Sequence, residues 1–357
     1  MGEYCIYKLP DPLRKLNEEA HNPQVISIGP FHYGNKKLKI MEKHKASYLE
    51  AFIKRAKINI CKEDLEHAVK GFEKSVRHCY AETIDHLNSD DFVTMILTDA
   101  SFIIELFIRN MFGHWSSDDK IKLKPWLAAR MQLDFILLEN QLHFFIIDKL
   151  FDLAFPSGSG LPSFVELTFE YFSSYNRQKM SPCPKSEIFH FADLLRKFYL
   201  PPCLPYREPK IIEHMYTATQ LVEVGLKFEA DRSSNCLLAL DYKKGVLKIS
   251  RFILEDDIEL YVRNILALEQ CHYPNQEYVT DYFILLDFLL NGGEKDLGLL
   301  RQQGILVIGF GNKYITNFIN NLGTGMINST MNSKYYDICI KLRKFYEEPG
   351  WLEYIHA

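Results

Sequence analysis

The chain has 357 residues, of which 47% are hydrophobic and 25% charged, with 25 Phe, 20 Tyr and 3 Trp. These are the proportions of a packed globular protein and exclude disordered, collagenous and coiled-coil classes. The formal net charge of −4 leaves no general electrostatic case for nucleic acid or an anionic membrane as partner.

The first forty residues read as irregular. Pro10, Pro12, Pro23 and Pro30 punctuate them, and Gly29-Pro30 and Gly34 mark turns. From Leu38 to about His86 the pattern is helical, with Met41, Lys45, Tyr48, Leu49 and Phe52 at helical spacing. Glu42 and Lys45 form an i, i+3 pair expected on the surface. Asp90-Asp91 opens a second helix running to Asn110, and Leu127 to Leu153 reads as one long helix ended by Pro156-Ser157-Gly158-Ser159-Gly160. Short helices follow over Phe164 to Ser173 and Ile188 to Tyr199. The proline-rich stretch 200–209 is the best candidate for a long surface loop, with helical periodicity resuming from Ile211 to Val224.

After Gly225 the texture changes. Leu226 to Glu229 alternates apolar and polar residues, and so, more loosely, does Val246 to Ile249 after the turn Lys243-Lys244-Gly245, which predicts a small hairpin or sheet. Helices return at Asp257 to Gln270, Thr280 to Leu290, Lys295 to Gln302, Tyr314 to Asn321 and Tyr335 to Tyr346. The fold class is mainly α: a multi-helix bundle with a small β element in the C-terminal half. The expected organisation is a single composite domain over 1–357, with a helical region 1–199, the 200–209 loop, and helices plus the β element over 210–357.

Targeting signals are weak. The N-terminus lacks an apolar leader segment, and Ile6 stands where myristoylation wants Ser or Thr. The apolar runs Phe92 to Ile108 and Phe135 to Phe155 contain acids, and Tyr282 to Leu290 is too short to span a bilayer. A cytoplasmic protein without a transmembrane segment is expected. The eight cysteines form no Cys-x-x-Cys pair and read as reduced thiols, mostly buried, with no metal and no cofactor.

Motifs for chemistry are sparse. Gly309-Phe310-Gly311 has Tyr314 in place of a third glycine and reads as a turn, and Gly158-Ser159-Gly160 misses the spacing of a nucleophile elbow. There is no His-Glu-x-x-His. His190 and Asp193, three apart, read as a surface or capping pair. The informative residues are polar groups inside apolar helices: Asp134 and Glu139-Asn140-Gln141 with His143, then Arg263-Asn264 with Glu269-Gln270, then Asp99 and Glu105. A buried carboxylate without a partner sheds its charge. The helices are therefore expected to neutralise one another, with Arg263 paired to Glu139 or Glu105. A hydrogen-bonded network that fixes helix docking is the favoured reading. The rival is an acid/base site using Glu139 and His143, with His32 and Arg263 as further catalytic candidates lining an aromatic pocket. For His32, a packed loop stapling the first helix is favoured over a pocket position.

Several blocks in order resemble a plant family, domain of unknown function 247, also called UPF0481. They include Ile6 to Pro10, Ser27-Ile28-Gly29-Pro30-Phe31-His32, Met41-Glu42 with His44-Lys45, Asp99 to Leu106, and Leu137-Leu138-Glu139-Asn140-Gln141-Leu142. Ala218-Thr219, Gly225 to Phe228, Arg263 to Cys271 and Asp296 to Ile305 continue the series. The resemblance implies a plant protein. Members typically carry a hydrophobic C-terminal membrane anchor after a Pro-Trp-like element; here Pro349-Gly350-Trp351 is followed only by residues to Ala357, so no anchor is expected. Some members are linked to self-incompatibility recognition in grasses, which implies an interaction or recognition role, and the family supplies no catalytic residues. The leading expectation is a non-enzymatic interaction module with a protein or small-molecule partner. The alternative is a metal-independent isomerase, cyclase or lyase of plant specialised metabolism.

Overall fold

The computed structural model describes residues 5–56, 60–308, 318 and 330–348. The chain divides into two compact units, Met1–Phe198 and Tyr199–Ala357. Among the described residues the architecture is mainly α with small sheets.

The first unit is organised around one helix. After the short α1 (Asp11–Arg14) come α2 (Lys39–Ala56), α3 (Lys62–Arg77) and the 24-residue α4 (Ser89–Phe112). Asn88 caps α4 by accepting the Asp91 N–H, and Gly113, at φ 68°, ends it in the left-handed conformation that glycine tolerates. Helix α4 is apolar on nearly every face because α2, α3, α7 (Phe144–Ala154) and α8 (Phe164–Tyr171) surround it. Between α4 and α7 lie α5 (Lys120–Leu123) and α6 (Pro125–Asp134). The unit ends with α9 (Phe191–Tyr199). Phe107 sits at the centre of the core, stacked on Tyr171 at 4.2 Å between centroids and flanked by Phe135, Phe164 and Phe191.

The long helix expected over Leu127 to Leu153 is two helices, α6 and α7, separated by 135–143. The sequence supplies the reason. Gln141 Nε2 donates to the carbonyls of Phe135 and Leu137, both at 2.6 Å, and Asn140 Nδ2 donates to Asp134 O at 2.9 Å. These side chains take the carbonyls a continuing helix would need. His143 then caps α7, its Nδ1 accepting the Phe145 N–H. The helical stretch expected from Leu38 to His86 is likewise two helices, and the one expected over Ile211 to Val224 is reduced to α10 (Ala218–Glu223).

In the second unit β1 (Lys227–Asp231), β2 (Leu240–Lys243) and β3 (Val246–Ser250) form a sheet in the order β1-β3-β2. β3 pairs parallel to β1 and antiparallel to β2. Lys244 and Gly245, at φ 48° and 77°, make the two-residue turn between β2 and β3, a conformation matched to the twist of a hairpin. β4 (Phe252–Leu254) pairs with β5 (Leu306–Ile308) in parallel. Around them lie α11 (Ile258–His272), α12 (Tyr278–Leu290), α13 (Glu294–Gln302) and α14 (Ser333–Glu347). β2, β4 and β5 were not expected; at three or four residues they are too short to display alternation. The Gly309-Phe310-Gly311 turn, the helix expected over Tyr314 to Asn321 and the Pro349-Gly350-Trp351 element lie outside the described residues. No helix among the described residues is long and apolar enough to cross a membrane.

Candidate functional site

The polar residues of the first unit converge on the N-terminal segment, 5–38, and above all on its stretch 22–31, which is neither helix nor strand. A buried backbone without partners is costly, so the core must supply them. Asp134, fully buried at the end of α6, accepts the N–H groups of Gln24, Val25 and Ile26, the last two at 2.7 and 2.9 Å. Asn140 accepts the Ile28 N–H at 2.7 Å and donates to Ile26 O at 3.1 Å. Asp99, in the middle of α4, accepts the Gly29 N–H at 2.9 Å and an ion pair from Lys45 at 2.5 Å, and Lys45 also donates to Ser27 O. Glu139 accepts from the Leu9 N–H and from Arg14. Tyr80 donates to Gln141 O at 2.9 Å, beside Gly29. At Gly29 any side chain is excluded twice: φ is 74°, and a Cβ would lie 2.4 Å from Gln141 O.

Burial and charge set the protonation of this network. Burial raises the Asp99 carboxyl to about 6 although Lys45 opposes it. Burial pulls Lys45 down, but Asp99 and Glu42 outweigh it and the ammonium is held above its ordinary value. Burial raises Asp134 also, tempered by its three N–H donors. A second cluster lies further along α4, where Glu105 receives Arg55 at 2.9 Å and Arg109 at 2.8 Å, and Arg109 and Tyr48 both reach Asp119 at 2.7 Å.

The four candidate catalytic residues do not form one constellation. Glu139 and His32 are neighbours, but 3.6 Å from Nε2 to Oε2 is too long for a hydrogen bond. Burial lowers the His32 pKa while Glu139 raises it less. His143 is the cap of α7 and does not sit on a helix face with Glu139. Burial, with His190 nearby, pushes its pKa down to about 3. Arg263 belongs to the second unit and pairs with Glu259 at 2.6 Å, not with Glu139 or Glu105. Those two acids find Arg14, Arg55 and Arg109 instead; Arg14 and Arg55 sit in segments of ordinary polar texture, whereas Arg109, four residues after Glu105 in an apolar run, carries an i, i+4 signal that could have found it. Glu42 and Lys45 do pair, at 2.7 Å, but Lys45 is fully buried and not a surface residue. His190 and Asp193 are a capping pair, buried and not at the surface: Asp193 N donates to His190 Nδ1, and Phe189 N to Asp193 Oδ2. All eight cysteines are free thiols; only Cys5, Cys79 and Cys339 are fully buried, fewer than expected.

The second unit uses its acids in the same way. Glu269 caps α12 by accepting Thr280 N and Oγ1 at 2.8 Å each. Asp296 accepts Thr219 N at 2.7 Å and Gly292 N at 2.6 Å. Asp281 is held by Arg207 at 2.5 Å and by the Asn332 backbone and side chain at 3.0 and 2.9 Å; burial raises it to about 7 against Arg207. Above this cluster lies a cleft of about 360 Å³, walled by the proline-rich strap Pro201–Pro205, Leu238, Tyr278 and Tyr335. Its tyrosine hydroxyls are committed, Tyr278 to Pro205 O at 2.8 Å and Tyr335 to Leu238 O at 2.5 Å, and Lys334 stands exposed at its lip.

The molecule is thus a mainly helical protein whose most distinctive polar residues anchor irregular segments to its cores. The chain belongs to the plant family of domain of unknown function 247, described as plant proteins of unknown function, whose pattern matches residues 6–356. Among its relatives the UPF0481 protein At3g47200 of Arabidopsis thaliana is 28% identical over 331 residues, covering 85% of this chain and 68% of that protein. A second UPF0481 protein of the same plant, At3g02645, is 24% identical over 155 residues, covering 43% of this chain and 28% of that protein. No solved structure matches the chain.

Proposed function

We propose that this protein is a non-enzymatic interaction module that receives an apolar element of a protein partner in the cleft beneath the Pro201–Pro205 strap. The observation that carries the reading is the division of labour among polar groups. Asp99, Asp134, Glu139, Asn140 and Gln141 are spent on backbone and ion-pair contacts, while the cleft is lined mainly by apolar atoms. A volume of about 360 Å³ lies at the small end of ligand-sized pockets. The occupant that fits is an extended peptide with one or two bulky apolar side chains and a neighbouring acid for Lys334. Eight free thiols suit residence in the reducing cytoplasm. The near-neutral charge favours a protein over nucleic acid. The alternative, a metal-independent isomerase, cyclase or lyase, needs free acid/base groups in an aromatic pocket, and the two tyrosines of this cleft have their hydroxyls engaged.

The test is selection from a random peptide library against the purified chain. Enriched peptides should pair aromatic or aliphatic residues with an acid and should lose at least tenfold in affinity for Leu204→Glu, a change at an exposed wall position that leaves the core intact. Ala239→Trp, which fills the cleft, should do the same. No enrichment, or equal binding to both variants, would overturn the proposal.

A further inference from the structure

Three side chains with no part in the anchoring network meet at the edge of the first unit. Cys5 comes from the start of the described chain, Cys79 from the turn after α3, and His143 from the cap of α7. One ligand atom of each, the two Sγ atoms and a ring nitrogen, lies within 4.8 Å of both others. The segments are pinned there by main-chain bonds: Cys5 N and Ile6 N both donate to Cys79 O at 3.0 Å, and Ala81 N donates to Ile6 O at 2.9 Å. His190 Nε2 holds Cys5 O at 2.9 Å. We propose that Cys5, Cys79 and His143 form a binding site for a thiophilic divalent cation of the zinc class.

Two sulfurs and one imidazole, with no carboxylate among them, are a donor set that selects soft or borderline metals over magnesium or calcium. Charge fits too. Two thiolates and a neutral imidazole balance a dication, which matters where Cys5 and Cys79 are 0% and 3% exposed. Tetrahedral zinc, with bonds of about 2.3 Å to sulfur and 2.0 Å to nitrogen, places its ligand atoms about 3.5–3.8 Å apart. Closing from the present separations therefore takes shifts of about 1 Å or less, within side-chain rotation. What the metal displaces is weak: Cys5 Sγ lies 3.8 Å from Cys79 O, and Cys79 Sγ 3.3 Å from Ser75 O. His143 Nδ1 accepts the Phe145 N–H, and ligation through either ring nitrogen costs that single cap bond, since binding at Nε2 moves the ring proton to Nδ1. His143 is only half-buried, and a water entering on its side completes four-coordination. Binding is written as the dication plus two thiols giving the dithiolate complex plus two released protons, with no change of oxidation state. This site runs against the expectation of no metal, because its ligands are scattered over 138 positions of sequence and no short spacing motif announces them. It is independent of the cleft proposed for partner binding.

The test is a Co²⁺ titration of the full chain, reduced with a phosphine and stripped of metal, followed by Zn²⁺ displacement. One equivalent of Co²⁺ should give tetrahedral visible bands and near-ultraviolet sulfur-to-cobalt charge transfer, bleached by Zn²⁺. Apparent affinity should rise with pH between pH 6 and 8, by up to about a hundredfold per unit, because binding releases two thiol protons. Cys5→Ser with Cys79→Ser should abolish the charge-transfer band, and Cys79→Ser alone should weaken it at least about twofold. His143→Asn, which retains a side-chain oxygen able to cap α7, should keep the fold by circular dichroism and weaken Co²⁺ binding tenfold or more. Cys61→Ser with Cys203→Ser, removing the exposed thiols, should change nothing. No charge-transfer band in the parent chain, a band that survives Cys5→Ser with Cys79→Ser or is unchanged in Cys79→Ser, one lost with Cys61 and Cys203, or formation of a Cys5–Cys79 disulfide in place of metal binding would each overturn the assignment.

Discussion

Asn140→Asp is the sharpest test of the anchoring network, because it changes one heavy atom and opens no cavity. Asn140 is 1% exposed and makes three bonds: it accepts from Ile28 N at 2.7 Å and donates to Ile26 O at 3.1 Å and Asp134 O at 2.9 Å. The carboxylate keeps the first and converts the other two into oxygen–oxygen contacts. Each buried carbonyl left without its donor costs about 1–3 kcal/mol, and the added anion raises the sum to about 3–6 kcal/mol at pH 7. That is a large part of an ordinary stability of about 5–15 kcal/mol. The pH dependence has a definite sign. The introduced carboxyl is worse off folded than unfolded, so its folded pKa is raised and the penalty eases as pH falls below that value, when the protonated group donates one bond again. Urea unfolding of the parent and variant at pH 7 and pH 5, with amide exchange of Val25 to Ile28, measures both effects. Protection of those amides should fall by at least a hundredfold at pH 7. A loss below about 1 kcal/mol, or one that is the same at both pH values, would refute the idea that these side chains hold the N-terminal segment.

Gly29→Ala should destabilise by about 3 kcal/mol or more, since strain at φ 74° adds to overlap with Gln141 O; Gly113→Ala, at φ 68° with no atom within 4 Å, should cost about 1 kcal/mol, and thermal melts of the pair compare them directly. For Asp281, raised to about 7, the contribution to stability is full below the ordinary carboxyl pKa and is lost as pH climbs through 7, so the difference in stability between parent and Asp281→Asn should change between pH 4 and pH 8 and flatten above; a pH-independent difference would refute the raised pKa. Arg263→Met removes the 2.6 Å ion pair with Glu259, whose side chain is 7% exposed, and should cost about 1–3 kcal/mol in urea unfolding, with no loss of peptide binding in the cleft.

The helices that could be read from sequence were those whose signals are local. Ser89–Phe112, Phe164–Tyr171, Ile258–His272 and Ser333–Glu347 have caps or apolar periodicity that one stretch of chain displays by itself. The break at 135–143 was hidden because apolar residues flank it on both sides, and what stops the helix is Asn140 and Gln141 bonding back to their own carbonyls. Reciprocal neutralisation of buried acids was legible as a principle, since charge in an apolar run demands a partner. The partners are less so: Lys45 stands among the apolar positions of α2 and Arg109 four residues after Glu105, but Arg14 carries no mark in the sequence, and Arg263 reads as a partner for acids that other residues satisfy. Asp134 was noticed, yet its use as a triple acceptor depends on where Gln24 to Ile26 lie in space.

Residues 5–38 leave the ribosome before several of the residues that secure them. Leu9 waits for Glu139, 130 residues later, and Cys5 O waits for His190, 185 residues later. At translation speeds of about 5–20 residues per second, those gaps last roughly 7–37 seconds, during which these contacts of the nascent strand are missing. Its four prolines and absence of long apolar runs keep it from pairing prematurely with its neighbours on the polysome. Closure of the first unit is thereby tied to completion of its own synthesis.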